Sequence, residues 1–362
     1  MQLVFLLSST ILFLAGRSYG FAPNSKPGSV LSLSLPKYQT KYKTPSIETA
    51  GNPFEHDNED HRDATGRTAK KKGPKIHPKR ERPRLPILRY EHNWVCINKP
   101  AGMTVHRSHR QSKFELVVST TLKRQLRRKV WPVHRLDHRT SGALLFAFDA
   151  ETCAKLHTAL RSTSDNEKVY VALVRGNWNH RFDGPTVTID EPVSVDGTKK
   201  EATTIFRCLA VLDNIHNNTN TSGTLPCSLV RAELKTGRLH QIRRHAYHMG
   251  MPVLGDTQHG DSRVNRWWRN NMGLDRLALH CLSLDLPSWE GDDNDDDERI
   301  QMVAPLPEDF RSVLEREELA ELWRIACTNE PRLKTPFIDI RTGTLEKQWQ
   351  RQNGEKVVRH ND

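Results

Sequence analysis

The sequence predicts an α+β fold, a mixed and mostly antiparallel sheet flanked by helices and loops. Two observations lead there. Many short apolar runs, closed off by Gly, Pro, Asn and Asp, read as strands and hairpins. Helical spacing appears only in stretches interspersed among them. No internal repeat is present.

In chain order, Ile87–Tyr90 and Trp94–Asn98 are apolar runs joined by a turn, the pattern of a β-hairpin. Lys99-Pro100-Ala101-Gly102-Met103 is a Pro/Gly loop that leads into Val105-His106. Ala143–Phe148 reads as a buried strand, and Glu151–Leu160 as a helix with Cys153, Leu156, His157 and Leu160 on one side. Strands follow at Val169–Val174, Ala202–Leu212 and Leu229–Leu234, then a helix at His240–Met249 and a strand at Leu277–Leu286. The six acids of Gly291–Glu298 repel one another and form a solvent loop. That loop lacks the Gly and Glu spacing of a calcium-binding EF-hand. A last helix is expected over Phe310–Ala326.

The 362 residues divide by composition. Leu3–Ala15 is an apolar run followed by small residues at Ser18 and Gly20, so residues 1–20 read as a cleavable signal peptide, too short for a comfortable membrane span. Residues 21–84 show no sustained apolar periodicity and carry a basic run from Arg67 to Arg84, as expected of a transit segment and disordered linker. The run can add phosphate contacts or serve only as a solvated linker. The folded domain is expected over 85–330, with a polar tail over 331–362. A net charge of +12 favours a polyanionic partner, nucleic acid before a membrane surface. The six cysteines are scattered without a CxxC pair and read as free thiols.

Four segments have a composition that packing alone does not explain. Val133-His134-Arg135-Leu136-Asp137-His138-Arg139-Thr140-Ser141-Gly142 gathers two arginines and two histidines around one carboxylate, Asp137. Cations hold such an acid ionised, which suits a nucleophile or base and disfavours a proton donor. On these ten residues alone an exposed charged turn is an equal reading. The second segment, Lys99–His106, is a Gly-bearing turn with Lys99 and His106 at its ends. The third, Lys168-Val169-Tyr170, places a phenol beside a cation at a strand start. The fourth, Lys235–His245, opens a helix with Thr236-Gly237 and puts Arg238, His240, Gln241, Arg243 and Arg244 near its first turns, where free N–H groups and cations meet anions. His240, His245 and His248 have no accompanying acid and no HExxH pattern, so no metal site is expected.

Together these segments resemble the RluA-type family of RNA pseudouridine synthases. His134-Arg135-Leu136-Asp137 with Thr140-Ser141-Gly142 is similar to the family's catalytic loop. Asn98-Lys99-Pro100-Ala101-Gly102 with Val105-His106, then Lys168-Val169-Tyr170, then Thr236-Gly237-Arg238 with His240-Gln241-Ile242-Arg243, and Leu277-Ala278-Leu279-His280 match its other motifs in order. The resemblance spans roughly Leu85 to Pro287. Arg243-Arg244-His245 and Gly255-Asp256-Thr257-Gln258-His259-Gly260-Asp261, followed by Asn265-Arg266, look most like the TruC branch, which modifies a uridine in the acceptor/T-stem region of tRNA. An S4 RNA-binding domain is not expected.

The resemblance implies a catalytic set of Asp137, Tyr170 and Arg238. Arg238 pairs with the aspartate, with Arg243 or Arg244 as the alternative, and Tyr170 stacks on the base and serves in late deprotonation at C5. It also implies a substrate-binding set of Arg135, His134, Leu279, Lys99, His106, His240 and Arg243. Arg135 fills the helix left by the flipped nucleotide, and Leu279, in preference to Leu277, lines the base pocket. The implied substrate is RNA, tRNA ahead of organellar rRNA, acted on by a monomer with no cofactor, no metal and no membrane attachment in the mature form. Likewise, a signal sequence followed by Phe21-Ala22-Pro23 resembles the bipartite plastid presequence of algae with secondary plastids, with mitochondrion and secretory pathway as alternatives. A glycoside hydrolase also breaks a glycosidic bond but needs a second carboxylate, for which Asp256 and Asp261 are the candidates. A non-catalytic RNA-binding or RNA-folding protein of the same fold is the other competing class.

Overall fold

The computed structural model describes residues 83–106, 116–161, 167–213, 225–287 and 299–336. Residues 1–82 of the expected presequence and basic run, the acidic insert 291–298 and the tail past 336 lie outside them. The elements are β1 (Ile87–Tyr90), β2 (Trp94–Lys99), α1 (Val118–Leu126), β3 (Trp131–Pro132), β4 (Ser141–Ala147), α2 (Ala150–Ala159), β5 (Glu167–Arg175), β6 (Thr186–Asp190), β7 (Val193–Val195), β8 (Thr198–Lys200), β9 (Thr203–Leu212), β10 (Cys227–Leu234), α3 (Gln241–His248), α4 (Ser262–Met272), β11 (Leu279–Pro287), β12 (Arg299–Val303), α5 (Glu308–Leu314) and α6 (Ala320–Asn329).

Among the described residues, ten strands form one sheet in the order β1-β2-β4-β11-β5-β10-β9-β6, with β3 beside β4 and β12 beside β11. Every pairing in it is antiparallel except β4 with β11, where His280 faces Ser141 and Cys281 faces Gly142. The mixed, mostly antiparallel sheet read from the sequence is therefore the fold. The short β7–β8 hairpin stands apart from it. Strands β2 and β4 are buried along their whole length, the burial that a near-continuous apolar run implies for a central strand.

The parallel junction brings two backbones close together. Gly142 has φ +121, and a Cβ there would lie 2.2 Å from the carbonyl oxygen of Cys281, so no other residue fits without parting β4 from β11. Behind it, Arg276 is buried and donates to Ser141 Oγ at 2.6 Å, while His280 bridges Ser141 Oγ and the Ala304 carbonyl at 2.8 and 3.0 Å. Burial pushes the His280 imidazole down to about 3, so it braces the junction as a neutral ring.

Three elements depart from the sequence expectation. The helix expected over Phe310–Ala326 is broken at Arg316, whose backbone is extended (φ −62, ψ 150). Its apolar positions explain this. Phe310, Val313 and Leu314 call for another apolar residue one turn on, but Glu317 and Glu318 stand there, and the buried series resumes out of phase at Leu319, Leu322 and Ala326. Next, α2 buries Thr152, Leu156 and Leu160 at four-residue intervals, which leaves His157 exposed instead of on the core side. Finally, the packed chain continues through a 3-10 turn, Pro331–Lys334, past the expected boundary at 330. Leu333 is buried there, and Arg332 pairs with Glu330 and Glu167 at 2.7 and 3.5 Å.

Candidate active site

The Asp137 loop connects β3 to β4 and is held from several sides. Its Val133 N–H donates to the Leu145 carbonyl at 3.0 Å, and Thr140 N–H closes a turn on the Asp137 carbonyl at 3.1 Å. His134 Nε2 accepts from the Leu145 N–H at 3.2 Å, and burial pushes that imidazole down to about 3. His134 is thus a neutral brace, though one edge reaches the cavity. Leu136 is buried in the core, and the His138 carbonyl accepts from Gly102 N–H at 2.8 Å.

These anchors leave the Asp137 side chain at the wall of a cavity of about 610 Å³, within the range for small-ligand sites. Tyr170, Leu279, His106, Arg135, Arg238, His240 and Arg243 line the same cavity. Among the lining residues Asp137 is the sole acid, against Arg135, Arg161, Lys168, Lys200, Arg238 and Arg243. The exposed Arg135 has no ion-pair partner among the described residues.

The partner of Asp137 is Arg243, not Arg238. Arg243 Nη1 lies 3.2 Å from Asp137 Oδ2, while its Nε and Nη2 grip both oxygens of Asp256 at 2.7 and 2.8 Å. Gln258 Oε1 accepts a further bond at 3.0 Å. Arg238 precedes α3. Its N–H donates to Gln241 Oε1 at 2.9 Å and its Nε to the Glu201 carbonyl at 3.0 Å, so it forms cavity wall without meeting the aspartate. The same Gln241 side chain takes up the Thr236 hydroxyl and donates to Thr203 and Thr204, which ties the turn before α3 to β9.

His240, just before α3, has φ +53 and brings its Nε2 to 3.7 Å from Asp137 Oδ2. A histidine in the left-handed region is uncommon and marks a constrained turn. Burial lowers its pKa against the pull of Asp137, which keeps the ring neutral. The other two histidines of α3 are separately engaged, His245 by Thr204 and the Glu191 carbonyl, His248 by the Glu191 carboxylate.

Asp256 is one percent exposed. Burial pushes its carboxyl up, but the Arg243 guanidinium and the N–H groups of Gln258 and His259 outweigh this and hold it below the usual range. Asp261 caps α4, accepting from the Arg263 and Val264 N–H groups. Neither is placed as a second catalytic acid. Asp256, Gln258 and the closing residue Asn265, which spans the Gly255 N–H and Asp256 carbonyl at 2.9 and 2.7 Å, escaped assignment to the site from sequence. Their signal was the Gly255-Asp256 turn itself.

Tyr170 sits near the start of β5, buried, with its phenol raised well above the ordinary value of about 10 by burial and by the neighbouring Cys281 thiol. It is a neutral phenol at neutral pH. Leu279 lines the cavity and Leu277 does not. Lys99, expected to touch substrate, is fully enclosed at the end of β2 and donates to the carbonyls of Pro100 and His138 at 2.8 and 3.3 Å. It supports the Asp137 loop from within and cannot meet RNA.

A profile of the RNA pseudouridylate synthase family matches residues 93–248. The tRNA pseudouridine synthase C of Haemophilus ducreyi is 38% identical over 206 residues, 55% of this chain and 84% of that one. That of Vibrio parahaemolyticus is 35% identical over 208 residues, 55% and 83% respectively. The human RNA pseudouridylate synthase domain containing 4 aligns with a TM-score of 0.49 and 23% identity, over 65% of this chain and 93% of that one. The chain belongs to the RluA-type family of RNA pseudouridine synthases and sides with the tRNA pseudouridine synthase C branch. Its activity is the isomerisation of uridine in RNA.

Burial brings the Lys99 ammonium down to about 7, with Arg276 adding to the effect and Asp137 opposing it. Above that pH the unfolded lysine still holds a proton that the native one has lost, so stability rises with pH. Urea denaturation at pH 7 and 8.5 should show the wild type gaining roughly 1–2 kcal/mol relative to Lys99→Met, a comparison in which the ionisation of unfolded thiols, common to both proteins, cancels.

Proposed function

We propose that this enzyme converts a uridine in tRNA to pseudouridine, with Asp137 as the nucleophile or base that opens the N1–C1′ bond. One observation carries this reading: a single carboxylate, held by Arg243, faces six cationic side chains in the cavity. The cations suit a phosphodiester chain. The lone acid suits a reaction that begins and ends with the same atoms and needs no proton donor to a departing sugar. A glycoside hydrolase needs a second carboxyl group within about 5–10 Å, and Asp256 is committed to Arg243.

The target nucleotide leaves its helix to enter the cavity, at a cost of a few kcal/mol. Arg135, exposed at the cavity and without an ion-pair partner among the described residues, fills the vacated stack and offsets part of that cost. Tyr170 and Leu279 then enclose the uracil. The carboxylate attacks C1′ or C6, or takes the C2′ proton toward a glycal. In each route the base turns and C5 bonds to C1′ while the carboxylate is released from carbon or the C2′ proton is returned. The C5 proton then leaves, and N1, which has lost its bond to C1′, gains a proton. His240 stays neutral beside the carboxylate and so leaves its charge uncompensated on that side. The relatives named for tRNA support tRNA over organellar rRNA as substrate.

Asp137→Ala should abolish pseudouridine formation, by at least three orders of magnitude in single-turnover assays, and leave tRNA binding within about twofold. Pseudouridine mapping of tRNA and organellar rRNA with and without the enzyme tests the substrate. A dependent site in rRNA alone would overturn the tRNA reading, and modification by the Asp137→Ala protein would overturn the mechanism.

The reading extends to location. Residues 1–84, of which 1–82 lie outside the described residues, act as a plastid presequence supported by the apolar run, the Ser18 to Gly20 cleavage pattern and Phe21-Ala22-Pro23. A fluorescent fusion of residues 1–84 should enter plastids, and export from the cell would overturn the assignment.

A further inference from the structure

The outer face of α3 carries groups that the reaction above does not use. Arg244 and Tyr247, three residues apart, share one face of α3, and His240 precedes that helix beside Asp137. Tyr247 is 56% exposed, the largest exposure of any large apolar or aromatic side chain among the described residues. His259 joins the two ends of this face, its ring 5.9 Å from that of His240, edge-on, and 6.5 Å from that of Tyr247.

A second cavity, about 570 Å³, opens beside Tyr247. The β7–β8 hairpin separates it from the first cavity and lines both. Val195 and Lys200 face the catalytic side, and Val193, Ser194 and Lys199 face the other. Arg244 is fixed at its wall by donating to the Ser194 carbonyl. The acid present, Glu191, is engaged by His248 Nδ1 at 3.0 Å, which leaves Lys199 and Arg244 to set the sign of the cavity. Exposed aromatic rings beside cations are how proteins hold unpaired nucleotides, since every base has a face that stacks.

We propose that this second cavity is a nucleotide subsite, which takes an unpaired nucleotide of the substrate RNA flanking the flipped uridine, its base stacked on Tyr247 and its phosphate against Arg244 and Lys199. The edge-on contact of the His240 and His259 rings joins the wall of this cavity to that of the catalytic one, and its charge complements RNA. The inference rests on the reading of the chain as an enzyme that acts on a flipped uridine. A partner that bound here by apolar contact alone would leave Lys199 and Arg244 without purpose.

The test is equilibrium binding of the full chain carrying Asp137→Ala to a synthetic acceptor–T-stem minihelix of tRNA, so that affinity is read without turnover. Each nucleotide flanking the target is replaced in turn by an abasic residue. Tyr247→Ala should raise Kd about tenfold on the intact RNA, the loss of one stack, and should cost nothing on one of the abasic RNAs. Tyr247→Phe should keep wild-type affinity. Lys199→Gln should lower the slope of log K against log salt by roughly 0.7. An unchanged Kd for Tyr247→Ala, or the same loss on every abasic RNA, would overturn the subsite and leave the function intact. Wild-type enzyme that bound the minihelix without modifying it would sink the function while the abasic series still decided the subsite. A chain that bound neither the minihelix nor tRNA would overturn both.

Discussion

One guanidinium holds the site together. Arg243 is 6% exposed in its side chain and is shared between Asp256, which is sealed in the interior, and Asp137, which faces the cavity. The fork on Asp256 fixes its plane through two parallel bonds, and the remaining Nη1 is aimed at the Asp137 carboxylate. Removing one member of such a buried pair costs about 3–5 kcal/mol because the other is left as an uncompensated charge. The same ion pair that is expensive to break is what gives Asp137 a defined position. Lysine in place of Arg243 could meet one acid but could not span both with planar geometry.

The sheet supplies the other half of the positioning. Asp137 lies on the loop that enters β4, and Tyr170 and Leu279 lie near the starts of β5 and β11. Because β4 and β11 run parallel, their starts share one end of the sheet, and the antiparallel register that sets Tyr170 opposite Cys281 carries β5 to the same cavity. Gly142 lets the two parallel strands approach, and Arg276, Ser141 and His280 tie them from behind. Lys99 reaches the loop from below through the His138 carbonyl. The Asp137 loop is thus held by groups of the surrounding strands.

Much of this was readable in the residues. The hairpin at Ile87–Asn98, the central strands and the cation density around Asp137 all follow from local pattern. What the pattern could not supply was the phase of elements whose start depends on tertiary contacts. Arg238 and Arg243 sit in one motif, and which of them meets Asp137 is decided by the left-handed turn at His240, which delays α3 until Gln241. Lys99 reads as a surface cation until β2 is known to be buried end to end. α4 was missed although Asp261 caps it and Gly273 ends it, because Val264, Trp268 and Met272 are its only regular apolar line among arginines and asparagines. The expected helix over Phe310–Ala326 failed for the opposite reason, a run of good helix formers whose apolar phase slips at Glu317.

We infer that Asp256 places Arg243, and through it Asp137, without touching substrate. This is tested most directly by a double-mutant cycle on single-turnover rate with Asp256→Asn and Arg243→Lys, each protein checked for folding by thermal denaturation. Asp256→Asn should lower the rate at least tenfold with Kd for RNA unchanged. In the Arg243→Lys background it should cost little more, since the two act as one unit. A folded Asp256→Asn enzyme with the wild-type rate, or losses that multiply independently, would contradict the account.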